Sequence, residues 1–218
     1  FPTDKRTLEY LKQQGRENDY VEMKADADAT YDQVLEIDMS TLEPMVAKPH
    51  SPDAVVPARE LEGMAINQVV IGSCTNSSFA DMMRAAKILK GRKVAEHVSL
   101  VIAPGSSSIL AMLSENGALA DMIQAGARIL ECGCGPCIGM GQAPLSKGVS
   151  LRTINRNFKG RSGTNDAGVY LVSPEVAALS AVKGCFSSMF EDDMYLEEVP
   201  STPFIKNANF FINDYDPY

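Results

Sequence analysis

No apolar run in this sequence is long enough to cross a membrane. The longest, such as "NQVVIGS" and "SLVIAP", fall far short of the roughly 20 residues a bilayer requires. No basic-then-apolar leader opens the chain. It starts at Phe1 rather than Met, and "FPTDKRTLEYL" reads like the interior of a longer protein or a processed subunit. Histidine is scarce: His50 and His97 are the only two, and neither has a partner at metal-ligand spacing, so neither is assigned a catalytic role. Basic residues are outnumbered by acidic ones, 20 against 28, for a formal charge of −8. With no Lys/Arg-rich run carrying interleaved aromatics, phosphate backbones are repelled on average and nucleic acid is not an expected partner. The five cysteines are an odd number, which excludes a complete disulfide framework. Three of them crowd into one short stretch, the pattern of intracellular thiols available for metal, and a cytoplasmic location is expected. Internal repeats and low-complexity segments are absent as well.

What is present is the composition of a globular protein, 45% hydrophobic and 22% charged over 218 residues, enough for one good core with extensions. The first 63 residues read differently from the rest. "TDKRTLEYLKQQG" predicts a short helix with Thr3 as N-cap and Gly15 just past its end. "YVEM" and "YDQVLEIDM" are strand candidates. "LEPMVAKPHSPDAVVPA", with four prolines and no helical period, predicts an extended segment lying over a surface. The run "DADATYDQVLEI" has a superficial calcium-loop look, but Tyr31 stands where the sharp turn needs Gly and Ile37 where Glu should close the loop. A solvated turn is the better reading.

From Met64 a rhythm sets in. "INQVVIG", "HVSLVIAP", "ARIL", "VSLRTIN" and "GVYLVS" are β-branched or apolar runs of strand length. Helical patterns stand between them: "SSFADMMRAAKILKG" with Ser78 and Asp81 spaced as a capping box, then "SILAMLSENG" and "ALADMIQAG". "SPEVAALSAVKG" closes the series with Pro174 in its first turn and Gly184 after its last. Alternating strands and helices predict an α/β fold, a three-layer α/β/α arrangement around a mostly parallel sheet. The expected organisation is residues 1–63 as an N-terminal region with an extended segment, 64–190 as the α/β domain, and 191–218 as an acidic C-terminal linker or tail.

In open α/β sheets ligands bind beyond the carboxyl ends of the strands. Three polar, glycine-containing loops follow strands directly here. "GSCTNSS" delivers Cys74, "ECGCGPCIGMG" delivers Cys132, Cys134 and Cys137, and "INRNFKGRSG" delivers Asn155, Arg156 and Arg161. Thiolates are soft ligands suited to zinc or to an iron–sulfur cluster, and spacing alone leaves both open, including a zinc site on all four of these thiols. Two arginines across a glycine loop suit a carboxylate clamp, although loop arginines are also ordinary surface charges. Cys185 reads as a small packed hydrophobe, Ser106, Ser107 and Ser108 as a helix cap, and the eleven methionines as core filling.

Taken together, "IGSCTNSS", "CGPCIG" and "NRNFKGRSG", with the earlier "IDMSTLEP" and "PHSPD", resemble the aconitase family from "FPTD" to about "KGCF". The resemblance implies a [4Fe–4S] cluster held by three cysteines, which by motif are Cys74, Cys134 and Cys137, with an open fourth iron that acts as a Lewis acid on a citrate-like hydroxy acid. It implies that Arg156 and Arg161 bind substrate carboxylate and that Asn155 sits near the cluster. Cys132 lies outside the implied ligand set. The glycine-rich form of "CGPCIG" looks closest to the aconitases, which isomerise citrate to isocitrate in the tricarboxylic acid cycle. Large subunits of isopropylmalate isomerase and homoaconitase are the alternatives within the family. The family's acid–base residues are not matched in these 218 residues. The resemblance therefore implies a fragment that needs the remaining domains, or a small swivelling subunit, and has no activity alone.

Overall fold

The computed structural model describes residues 1–191 and Met194. The tail expected over 191–218 therefore lies almost wholly outside the described residues. The chain divides after Leu42 into two compact units.

The first unit holds helix α1 (Lys5–Gln13), begun by a capping box in which the Asp4 side chain accepts from the Thr7 amide while the Thr7 side chain accepts from the Asp4 amide. The cap is thus Asp4 and not Thr3. Thr3 is engaged elsewhere: its hydroxyl donates to Val21 O at 3.0 Å and accepts from the Met23 amide at 2.8 Å. The strands predicted over Tyr20–Met23 and Tyr31–Met39 do not form. Their apolar residues, among them Val34, Leu35 and Ile37, stand exposed, with neither a ladder partner nor a core face to order them among the described residues. The pseudo-calcium run is a solvated turn, its Ala29 amide donating to Asp26 O.

The second unit carries a seven-stranded sheet in the order β2-β1-β7-β6-β3-β4-β5. Five strands, β3 (Gln68–Gly72), β4 (Ser99–Ala103), β5 (Arg128–Ile129), β6 (Val149–Arg152) and β7 (Gly168–Leu171), run parallel. β1 (Met45–Ala47) and β2 (Val55–Pro57) form an antiparallel hairpin on the β7 edge. The proline-rich stretch predicted to be merely extended thus supplies two edge strands, upstream of the boundary drawn at Met64. Proline is compatible with that place because an edge strand leaves one side of its backbone without ladder bonds: Pro57 sits in the outermost strand, and Pro49 and Pro52 in the turn.

Strand alternation sorts the sheet into two different faces. Val69, Ile71, Leu100, Ile102 and Leu151 join a core with Met82, Ala85, Leu113, Met122 and Leu179 of the helices. α2 (Phe79–Leu89) packs on α5 (Pro174–Lys183), on α4 (Ala118–Ala125) and on α3 (Ser107–Glu115), giving one continuous helical layer. In this unit the caps read from sequence are in place: Ser78 with Asp81, Ser106 to the Ile109 amide, and left-handed Gly184 at the end of α5, whose N-cap is Ser173, accepting from the Val176 amide. The other face offers Gln68, Ser150 and Arg152, all buried. Its covering layer is the β5–β6 connection, whose one regular turn is a 3-10 turn at Gly135–Ile138.

Gly72 ends β3 at φ +121°, and a Cβ there would run into Ala103 O. Gly72→Ala is expected to cost about 3 kcal/mol, the scale of overpacking a rigid site, or to prevent folding. Gly91→Ala, also at positive φ but with no neighbour within 4 Å, is expected to cost about 1 kcal/mol. Urea denaturation of the two variants measures the difference.

Candidate functional site

The chain leaves β3 towards β4 and β5 on one side of the sheet, and later enters β6 and β7 on the other. Connections diverge between β3 and β6, so a crevice opens beyond the carboxyl ends of this pair. Thr153, the residue after β6, joins its two walls. Its amide donates to Val70 O at 3.1 Å, its hydroxyl accepts from the Gly72 amide at 2.8 Å, and its carbonyl accepts from Asn76 Nδ2 at 2.5 Å. The loop that carries Cys74 is therefore fixed to β6 at both ends. Ser77 donates to the carbonyl of Ser73, tightening the loop before α2 begins. Cys74 itself is exposed, with its sulfur 3.7 Å from the Thr75 hydroxyl. Ser73 beside it has φ +75° and a buried hydroxyl without a hydrogen-bond partner.

The second wall is the connection after β5. Cys134 is exposed at the start of the 3-10 turn, its carbonyl accepting from the Cys137 amide at 3.1 Å. Cys137 is only 8% exposed. Gly139 closes the turn at φ +88°, and a Cβ there would collide with Ser162 O. Ser162 Oγ in turn donates to Cys137 O at 3.4 Å. The cysteine turn and the arginine loop are thus in direct backbone contact, and only glycine allows the approach.

The arginine loop, residues 153–167, is anchored by buried Asn157, whose amide donates to Lys48 O at 2.8 Å and Val169 O at 3.0 Å. On the same loop Asn155 and Arg156 are exposed, and Arg161 is half-buried. Neither Arg156 nor Arg161 has an ion-pair partner among the described residues. In a chain of net charge −8, two unpaired cations on one loop are available to an anionic ligand.

The structure joins the three loops through Thr153, Gly139 and Ser162, but it does not draw the thiols into a finished ligand set. Among the described residues, no three Cys, His, Asp or Glu side chains form a metal-binding group. All five cysteines are free. The donor chemistry fits an iron–sulfur cluster: three unpaired thiols come from two loops of one crevice, beside the orphaned Ser73 hydroxyl. Cys132 is partly buried, and that burial pushes its thiol above the ordinary value. His50 is exposed, and His97 is held to Gly184 O at 2.8 Å, at the far end of α5. Cys185 is partly buried in an isolated bridge with Ala65.

One residue of the site escaped the sequence reading. Arg152 is completely buried under the cysteine turn, donating to Pro136 O at 2.5 Å and to Gln142 O at 2.5 Å. The available signal was the alternation Ser150, Leu151, Arg152, which puts a cation on a strand's polar face.

The model of the aconitase family (aconitate hydratase) matches residues 1–62 and 57–184. The chain is 46% identical over 185 residues to the 3-isopropylmalate dehydratase large subunit 2 of Archaeoglobus fulgidus, covering 84% of this chain and 44% of that protein. It is 44% identical over 187 residues to the 3-isopropylmalate dehydratase large subunit 1 of Thermotoga maritima, covering 84% and 45%. To the methanogen homoaconitase large subunit of Methanocaldococcus jannaschii it is 41% identical over 197 residues, covering 86% and 47%. The chain spans less than half the length of these curated relatives. Their names run against the preference for citrate drawn from "CGPCIG". A glycine-rich turn reflects the close approach of Gly139 to Ser162 and says nothing about the substrate.

Thr153→Val keeps the shape of the crevice's central residue but leaves the Gly72 amide without its acceptor. A loss of about 1–3 kcal/mol is expected, the cost of an unsatisfied buried donor, read as a lowered urea midpoint. Asn76→Ala, which removes only one contact at the loop's rim, is expected to cost less.

Proposed function

The chain belongs to the aconitase family, and on that footing we propose that it is the cluster-bearing part of a hydro-lyase of the isopropylmalate dehydratase or homoaconitase type. Such an enzyme moves a hydroxyl between adjacent carbons of a small hydroxy acid by dehydration and rehydration. The observation that carries the proposal is the meeting of three loops, those of Cys74, of Cys134 and Cys137, and of Arg156 and Arg161, at the β3/β6 crevice. The dehydratase and homoaconitase names of the relatives favour these substrates over citrate.

In this reading Cys74, Cys134 and Cys137 hold the cluster. When bound, a [4Fe–4S] group supplies an open Lewis-acidic iron that polarises a substrate hydroxyl. The exposed loop of Asn155, Arg156 and Arg161 faces an anionic substrate. Arg156 and Arg161 bind its carboxylate in fork geometry, and Asn155 lies at the cluster's edge as a hydrogen-bond partner. Gln142 and Arg152, both buried, lie behind the cysteine turn, with Arg152 bonded to the carbonyls of Pro136 and Gln142. No acid–base residue is assigned to this chain. Proton transfer belongs to parts of the whole protein that it does not contain, or to a small subunit, as the "large subunit" names of the relatives suggest. Residues 1–63 are proposed to belong to the region preceding this domain in the whole protein.

A zinc-stapled module is the other class of reading, with Cys132 as its fourth thiol. Anaerobic reconstitution with iron and sulfide, with metal analysis and a visible spectrum, separates the two. A broad cluster absorption is expected, abolished by Cys74→Ser, Cys134→Ser or Cys137→Ser and kept by Cys132→Ser and Cys185→Ser. Stoichiometric zinc that depends on Cys132, without iron uptake, would overturn the proposal. The reconstituted chain alone is expected to show no turnover of isopropylmalate, homoaconitate or citrate. Measurable hydration or dehydration of any of them by this chain would defeat the assignment of proton transfer to missing parts.

A further inference from the structure

We propose that Arg152 is a positioning residue for the cluster, clamping the Cys134–Cys137 turn and the chain just past it onto the sheet and setting a positive charge behind Cys137. The proposal rests on the cluster reading above. The guanidinium has 0% exposure and no carboxylate partner among the described ion pairs. A cation buried without a counter-ion is costly, and an apolar side chain of similar size would fill the same space without that cost. Packing therefore gives no reason for an arginine here.

Its contacts give one. Nη1 donates to Pro136 O at 2.5 Å, the carbonyl of the peptide unit that leads into Cys137. Nη2 donates to Gln142 O at 2.5 Å, where the connection leaves the turn, and to Gln68 Oε1 of β3 at 2.8 Å. Nε donates to Ser150 Oγ at 3.0 Å, and Ser150 Oγ donates to Gln68 Oε1 at 2.6 Å. The planar fork thus spans the 3-10 turn, the chain just past it and two adjacent strands. Burial lowers the Arg152 pKa to about 10, still well above neutrality. The group stays cationic at neutral pH, beside the thiol proposed to carry the cluster's charge. Arg156 and Arg161 are exposed or half-buried on a separate loop, so Arg152 is distinct in place and task from the arginines assigned to substrate.

The test compares the reconstituted wild-type chain with Arg152→Gln, Arg152→Lys and Ser150→Ala. The readouts are the rate of iron loss to a chelator, the reduction potential of the cluster, and the urea midpoint. Arg152→Gln removes charge and fork together. It is expected to lose iron about tenfold faster, the scale of outer-shell changes at metal sites, and to shift the potential to more negative values. Arg152→Lys keeps a point charge but cannot hold both carbonyls, so it should restore much of the potential and still lose iron faster. Ser150→Ala removes two bonds of the same buried network, one accepted from Arg152 Nε and one donated to Gln68, and leaves both bonds from Arg152 to the carbonyls of Pro136 and Gln142 in place. Its midpoint should fall while iron loss and potential stay at wild-type values.

Wild-type iron loss and potential in Arg152→Gln overturn the proposal. So does iron loss from Ser150→Ala as fast as from Arg152→Gln, which would reduce the effect to general destabilisation. If Arg152→Gln does not fold, the iron loss of Arg152→Lys against Ser150→Ala decides, and failure of both Arg152 variants to fold puts the residue in the fold and not the site. If the wild-type chain takes up no iron, the cluster reading itself fails and this proposal with it.

Discussion

Arg152 lies where strand β6 ends, beneath the turn that carries Cys134 and Cys137, and its guanidinium is wholly shielded from water. A buried cation needs hydrogen-bond acceptors, since bringing it out of water costs several kcal/mol even after relaxation, and Arg152 has four such bonds. That requirement determines what the second face of the sheet is made of. Gln68 and Ser150 stand where ordinary strand pairs would place apolar side chains, and the connection between β5 and β6 comes down on them with carbonyl oxygens. Arg128 at the start of β5 extends the same polar layer, donating to Gly141 O and to Gln142. One face of the sheet thus combines buried Val70, Val101 and Val169 with the directed hydrogen bonds of Gln68, Ser150 and Arg152, and the other is held by apolar burial against α2, α3, α4 and α5.

This division suits a site that must bring glycine-rich loops together. A helical second layer would bury its own polar groups and keep loop backbones apart. An irregular connection leaves carbonyls and amides free to meet the sheet, the neighbouring loop and a ligand. Gly139 abutting Ser162, and Asn76 bonded to Thr153, are products of that arrangement. Each joins segments far apart in sequence, the first by contact between backbones and the second by a side-chain amide on a backbone carbonyl. The α2 capping box does the complementary work: by fixing where the helix starts, Ser78 and Asp81 define the length of the loop on which Cys74 sits.

The first 42 residues behave differently, with helix α1 capped and short but apolar residues such as Val34, Leu35 and Ile37 in the open. Alternating apolar residues predict a strand only when a neighbour is there to pair with. Within this unit none of the described residues provides one, so Tyr31–Met39 lacks the ladder its pattern anticipates. Over Met45–Pro57 the reverse holds. Prolines argue against strands, yet β7 offers an edge, and a hairpin forms on it.

Local pattern was enough for the five parallel strands, the four helices that cover them and nearly every cap, because periodicity and capping act over a few residues and are written in the neighbours themselves. Motif spacing likewise marked Cys74, Cys134, Cys137, Asn155, Arg156 and Arg161 as the residues of interest, with the family resemblance giving them proposed roles. Whether Pro57 joins a sheet, whether Val34 finds a partner, and where a lone arginine in "VSLRTIN" points depended on what lies across the fold. Arg152 is the clearest case. Its sequence neighbours are those of an ordinary buried strand, and its acceptors lie on two other segments, Gln68 on β3 and Pro136 and Gln142 on the β5–β6 connection. Only the tertiary structure brings them together, because a buried charge is satisfied by partners in space and not by partners in sequence.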